Sequence, residues 1–173
     1  MRRSIAFAVA LALAGTAAPA AATVVPKLEA TSLGGAHVVL PGAAGGKPFV
    51  LVVGYARESQ ASLQAWAHAL AKALPGTPLY ATAVVVGAPG LVHGFISRAI
   101  RKAAPPSVPS HDSRVLLTFD GTGWMQIAPP GNAADAAVFV IRADGTIVDS
   151  TRSPFGDDAL RAVVDNAKGI GDR

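Results

Sequence analysis

The chain has 173 residues, 51% of them hydrophobic and 15% charged, and it contains no cysteine. This length suits one domain with a short extension, and sparse charge in an apolar chain argues against disorder. The lack of cysteine excludes disulfides, thiol–disulfide exchange and thiol peroxidase chemistry, and a formal charge of +4 is weak support for nucleic-acid binding.

Residues 1–22 read as a secretory signal peptide. Arg2 and Arg3 supply a positive n-region, Ile5 to Ala14 is an apolar stretch too short to span a bilayer comfortably, and Ala20-Ala21-Ala22 offers small residues for cleavage after Ala22. An uncleaved anchor is the alternative. Cleavage removes two arginines and leaves 13 basic against 11 acidic residues, so the mature chain is close to neutral. The expected product is a single periplasmic domain over 23–173 with no transmembrane span and no role in nucleic-acid binding.

Leu28–Leu33 and Ala36–Leu40 are expected to form a β-hairpin around Gly34-Gly35, followed by a glycine-rich turn over Pro41–Gly46. That turn lacks the spacing and the Lys-Ser/Thr ending of a phosphate-binding loop. Phe49–Val53 is an unbroken apolar run rich in β-branched residues, which suits a strand buried on both faces. A helix then follows, with Leu63, Trp66, Ala67, Leu70 and Leu74 on one face, Ser59 as its N-cap and Glu58 at the positive end of its dipole. Pro75-Gly76-Thr77-Pro78 ends it.

Leu79–Val86 reads as a second core strand, parallel to the first through a right-handed crossover. Pro89–Ala103 reads as a helix with Leu91, Phe95, Ile96, Ala99 and Ile100 facing the sheet and Arg98, Arg101 and Lys102 outside. Val115–Phe119 is a third strand, Asp120-Gly121 a turn, and Trp124–Ile127 either a strand or a helical turn. Pro129–Ala134 is a loop. Ala136–Ile141 and Thr146–Asp149 form a hairpin around Asp144-Gly145, and Phe155–Ala167 is a closing helix with Leu160, Val163, Val164 and Ala167 inward.

The stretch GKPFVLVVGYARESQASLQAWAHALAKAL, the preceding hairpin and the pair VLLTFDGTG and AVFVIRADGTIVDS resemble thioredoxin-like proteins of the peroxiredoxin and TlpA-like branch. The resemblance spans Leu28 to Ala167 and implies an α/β fold, a thioredoxin-like three-layer α/β/α sandwich with an N-terminal β-hairpin. It also implies where the redox chemistry would stand: the family's cysteines fall near Glu58 and Ala61, and its cis-proline falls at Ala136. GFISRAIRKAAPPSVPSHDSR and the Trp66 helix are similar to the mitochondrial ATP synthase assembly factor family, and Ala56-Arg57 is similar to the periplasmic YtfJ-type proteins. No functional residue is carried over from either likeness.

The remaining candidates come from the residues themselves. His37, His68, His93 and His111 lie in four different elements without HxxxH or HxH spacing, so any metal site would have to be assembled in three dimensions. Ser110-His111-Asp112 has the letters of a catalytic triad, but adjacent residues cannot reach triad geometry. Arg98, Arg101 and Lys102 form a basic helix face, either simply solvated or a contact for an anion or acidic partner that Arg114 would adjoin after the proline loop. Arg57 and Glu58 form either a cap with a surface ion pair or an interaction surface. Trp66 is expected in the core, and Trp124 is a candidate exposed contact.

Three functions follow from this reading. The first is a non-catalytic binding or assembly protein of the bacterial cell envelope, with a protein partner and no cofactor. The second is a hydrolase or metal-dependent enzyme built around His93, His111 and Asp112. The third is a small-ligand carrier using a cleft above the central strand.

Overall fold

The computed structural model describes residues 23–103, 114–129 and 131–171. The signal-peptide assignment and Ser110-His111-Asp112 lie outside these residues. Seven strands form one sheet: β1 (Leu28–Ser32), β2 (His37–Leu40), β3 (Phe49–Gly54), β4 (Leu79–Val84), β5 (Val115–Thr118), β6 (Ala137–Ile141) and β7 (Ile147–Thr151). The described helices are α1 (Gln60–Ala73), α2 (His93–Ala103), the single turn α3 (Trp124–Ile127) and α4 (Asp157–Gly171).

The sheet order is β2-β1-β5-β4-β3-β6-β7. β3, β4 and β5 are mutually parallel, and β1, β2, β6 and β7 add antiparallel neighbours at the two sides. As its unbroken apolar run predicts, β3 lies inside the sheet, between β4 and β6, with every residue buried. The β1–β2 hairpin extends the sheet through Thr31–Leu117 and Ser32–Leu116 pairing, a placement its local pattern does not reveal.

Each sheet face has its own core. On one, Val50 and Val52 of β3 meet Trp66 and Leu70 of α1 and Val163 and Val164 of α4. On the other, Phe49, Leu51 and Val53 pack with Tyr80, Phe139 and Trp124, so the second helical layer is reduced to α3. Successive right-handed crossovers place α1 and α2 on the same face.

Several boundaries differ from expectation. β4 ends at Val84, and the second helix begins with a 3-10 turn over Gly90–Val92 before α2. The closing helix starts at Asp157, leaving Phe155 outside it to meet the Trp66 ring edge-to-face at 5.4 Å. Ser59 occupies the position before α1 but makes no side-chain cap; its hydroxyl turns back to the Ala56 carbonyl at 2.7 Å.

The largest correction concerns α2. Leu91 is 99% exposed and Phe95 is 73% exposed, and no described side chain of α2 is buried. The helix is tethered instead through His93 and Arg101, two turns apart on one stripe. The His93 ring stacks on Phe119 at 3.6 Å between centroids, and Arg101 donates to the Leu33 carbonyl at 2.5 Å. This tether leaves Leu91 and Phe95 turned outward, while Ile96 and Ile100 stay half-buried on the side of β4 and β5.

Candidate functional site

The site begins where β3 ends. A Cβ on Gly54 would lie 2.6 Å from Ser59 Oγ and 3.0 Å from Leu63 Cδ1, so only glycine lets the chain fold back this closely. Tyr55 and Ala56 lead into a 3-10 turn, Arg57–Ser59, which passes directly into α1. Ser59 is buried and locks the turn through Ala56, whereas Arg57 and Glu58 are exposed. The resemblance places the redox cysteines near Glu58 and Ala61, and neither residue has a nucleophile of that kind.

Ala136, at the family's cis-proline position, precedes β6 and is buried. Unlike proline it has an N–H, and that group donates to Ser62 Oγ in the first turn of α1 at 3.1 Å. The substitution therefore leaves no orphan buried donor.

Beside this turn lies a cleft of about 700 Å³. Small side chains leave the space: Ala81 and Ala83 of β4, with Val115 of β5, line it on the sheet side. Leu63 and Ala67 of α1 form one wall, and Ile96, Ala99 and Ile100 of α2 form the other. Tyr55, Arg57, Val86 and Phe95 also line it, and Arg57 is the one charged residue among the described lining residues.

Tyr55 connects the cleft to the opposite face of the sheet. Its hydroxyl donates to the Trp124 carbonyl at 2.5 Å, and the Arg152 guanidinium stands 5.9 Å from its ring centroid. Burial pushes the Tyr55 phenol up to about 12 from an ordinary 10.0, with Arg152 opposing. The folded chain thus holds this proton more tightly than the unfolded chain. The associated stability is fully present below about pH 10 and is lost as pH rises towards 12. Tyr80, whose phenol burial also raises, adds to the same fall. Urea melts at successive pH values should show a shallower decline between pH 10 and 12 in Tyr55→Phe than in wild type; equal slopes would contradict the assignment.

The remaining candidates disperse. Arg98 and Lys102 are exposed, Arg101 is engaged with Leu33, and Arg114 is half-buried just before β5, where its charge acts on Tyr80. Trp124 corrects the expectation of an exposed contact. It is completely buried, and its indole N–H donates to the Glu29 carbonyl at 3.1 Å. His37 lies 3.7 Å from Glu29, while His93 stacks on Phe119. Among the described residues, no group of three or more His, Cys, Asp or Glu is arranged to hold a metal.

Sequence reasoning anticipated a cleft above the central strand only in outline. Two features of the sequence that could have shown its character are the small residues Ala81 and Ala83 in an otherwise bulky strand and the absence of any acidic residue between Glu58 and Asp112.

Solved structures share this fold. The thioredoxin domain of a thiol-disulfide oxidoreductase from Bacteroides vulgatus aligns over 88% of this chain and 99% of its own, with a TM-score of 0.58 at 16% identity. The exposed lipoprotein thioredoxin of Streptococcus pneumoniae aligns over 81% and 98%, with a TM-score of 0.57 at 18% identity. Peroxidoxin BcpB of Mycobacterium tuberculosis aligns over 86% and 96%, with a TM-score of 0.55 at 18% identity. The fold is thioredoxin-like. No family model and no curated protein matches the sequence. At these identities the likeness establishes the thioredoxin-like architecture, here without a cysteine, and leaves the activity to the site. No helix among the described residues is long and apolar enough to cross a membrane.

Proposed function

We propose that this thioredoxin-like chain is a redox-inactive binding protein of the bacterial cell envelope and that the cleft is its binding site. One observation carries the reading: beside the turn where the resemblance places redox cysteines, this chain has Glu58 and Ala61 and an apolar cleft of about 700 Å³. The volume falls in the range of about 300–1,000 Å³ typical of small-molecule sites. The reading of residues 1–22 as a signal peptide supports an envelope location.

A protein partner is the second reading. It rests on the outward stripe of α2 and the turn before it, where exposed Leu91 and Phe95 are followed by exposed Arg98 and Lys102. Arg57 and Glu58 provide further exposed contacts.

Native mass spectrometry of the protein purified from exporting cells separates these readings. A retained small mass that disappears in Ala83→Phe is expected, together with no disulfide reduction and no peroxide turnover. A retained protein that disappears in Arg98→Gln/Lys102→Gln would favour the second reading. Thiol-type activity in the pure protein would overturn both.

A further inference from the structure

We infer that the cleft, on the reading that it is the binding site, takes a single-chain anionic amphiphile: a long-chain carboxylate with its hydrocarbon tail between α1 and α2 and its head group on Arg57.

The tail follows from the lining. Ala81, Ala83 and Val115 present no hydrogen-bonding side chains, and Leu63 faces Ile96 and Ile100 across the space. At the rim, Phe95 and Val86 are 73% and 53% exposed. Each methylene that leaves water against these surfaces adds to affinity. Ser59, Gln60 and Gln64 also line the cleft, close in sequence to Arg57 at the start of α1, so the polar side chains gather at the head-group end and the strand and α2 sides stay apolar.

Charge selects the head group. Arg57 is the one charged residue of the described lining, and among the described residues no carboxylate pairs with it. Glu58 beside it is exposed and does not line the cleft. The next acidic residue in sequence is Asp112, so both helical walls and β4 are free of acids. A guanidinium offers two parallel N–H donors that match a carboxylate, and a cationic amphiphile would meet the same group as repulsion.

The test titrates the purified mature protein with palmitate, hexadecanol and hexadecyltrimethylammonium, each below its aggregation concentration. Palmitate should bind at one per chain, hexadecanol about tenfold more weakly, and the cation not at all. Arg57→Gln should bring palmitate down to the hexadecanol level without changing hexadecanol. Ala99→Asp, on an exposed position of the α2 wall, should weaken palmitate selectively and does not depend on the core staying intact. Ala83→Phe, checked for an unchanged thermal melt, should weaken both.

Equal binding of palmitate and hexadecanol, unaffected by Arg57→Gln, would overturn the ligand class while leaving the cleft in place. Binding of neither amphiphile that responds to Ala83→Phe or Ala99→Asp would overturn the cleft reading itself. Sedimentation of the protein with phosphatidylglycerol vesicles, without binding of free palmitate, would place the anionic lipid chemistry on a membrane surface and overturn the carrier.

Discussion

Replacing Trp66 by alanine should destabilise the domain by about 3–5 kcal/mol, seen as a large drop in the urea midpoint. The ring is completely buried between α1, the sheet and α4, where Val50, Val52 and Val163 belong to the same packed cluster. Truncation removes the apolar transfer of a large side chain, leaves a cavity and abolishes the edge-to-face contact with Phe155. A loss of this size is a large share of the stability of an ordinary domain. The Trp66 indole N–H makes no hydrogen bond despite its burial. Trp66→Phe should therefore be mild, about 0–1.5 kcal/mol, because relief of an unpartnered donor offsets part of the lost volume. An unchanged midpoint in Trp66→Ala would place the ring outside the core.

Trp124→Ala should cost a comparable amount, about 3–5 kcal/mol, by a different route. This ring is also completely buried, but it joins separate parts of the chain. Its N–H reaches the Glu29 carbonyl in β1, and its own carbonyl receives the Tyr55 hydroxyl from the turn beside the cleft. Trp124→Phe keeps most of the packing and loses the indole bond, so it should cost about 1 kcal/mol more than packing alone predicts. Hydrogen exchange should show the loss as faster opening of the β1–β2 hairpin. The opposite ranking of the two phenylalanine variants, with Trp66→Phe costlier than Trp124→Phe, would contradict the hydrogen-bond assignments.

The two tryptophans also show what the amino-acid pattern conveys. Trp66 repeats with Leu63, Leu70 and Leu74 at helical spacing, so its inward direction follows from periodicity. Trp124 sits in a four-residue helical turn, too short to have a period. Its burial depends on Glu29, 95 positions earlier. For the same reason the residue resembles a surface contact in sequence and belongs to the core in space.

The cleft was legible only in fragments. Arg57 and Glu58 stand out at a strand-to-helix turn because the thioredoxin resemblance marks that turn. The alanines that open the space attract no notice individually, since Ala81 and Ala83 matter only when α1 and α2 stand on either side of them. The spacing of the apolar residues of α2 gives the helix an apolar side, but spacing does not say which neighbour a helix meets.

The sequence by itself determined the order of strands and helices, the burial of Phe49–Gly54 on both faces and the absence of thiol chemistry. These depend on local apolar periodicity, turn residues and composition, all of which act over a few residues or over none. Only the tertiary structure decided where the first hairpin joins the sheet, that Trp124 lies inside, and that α2 stands off to leave an acid-free cleft. Each of these depends on a long-range partner: Leu116 and Leu117 for the hairpin, Glu29 for Trp124, and Leu33 with Phe119 for α2. A periodic pattern specifies that an apolar face needs covering, and the folded chain determines what covers it.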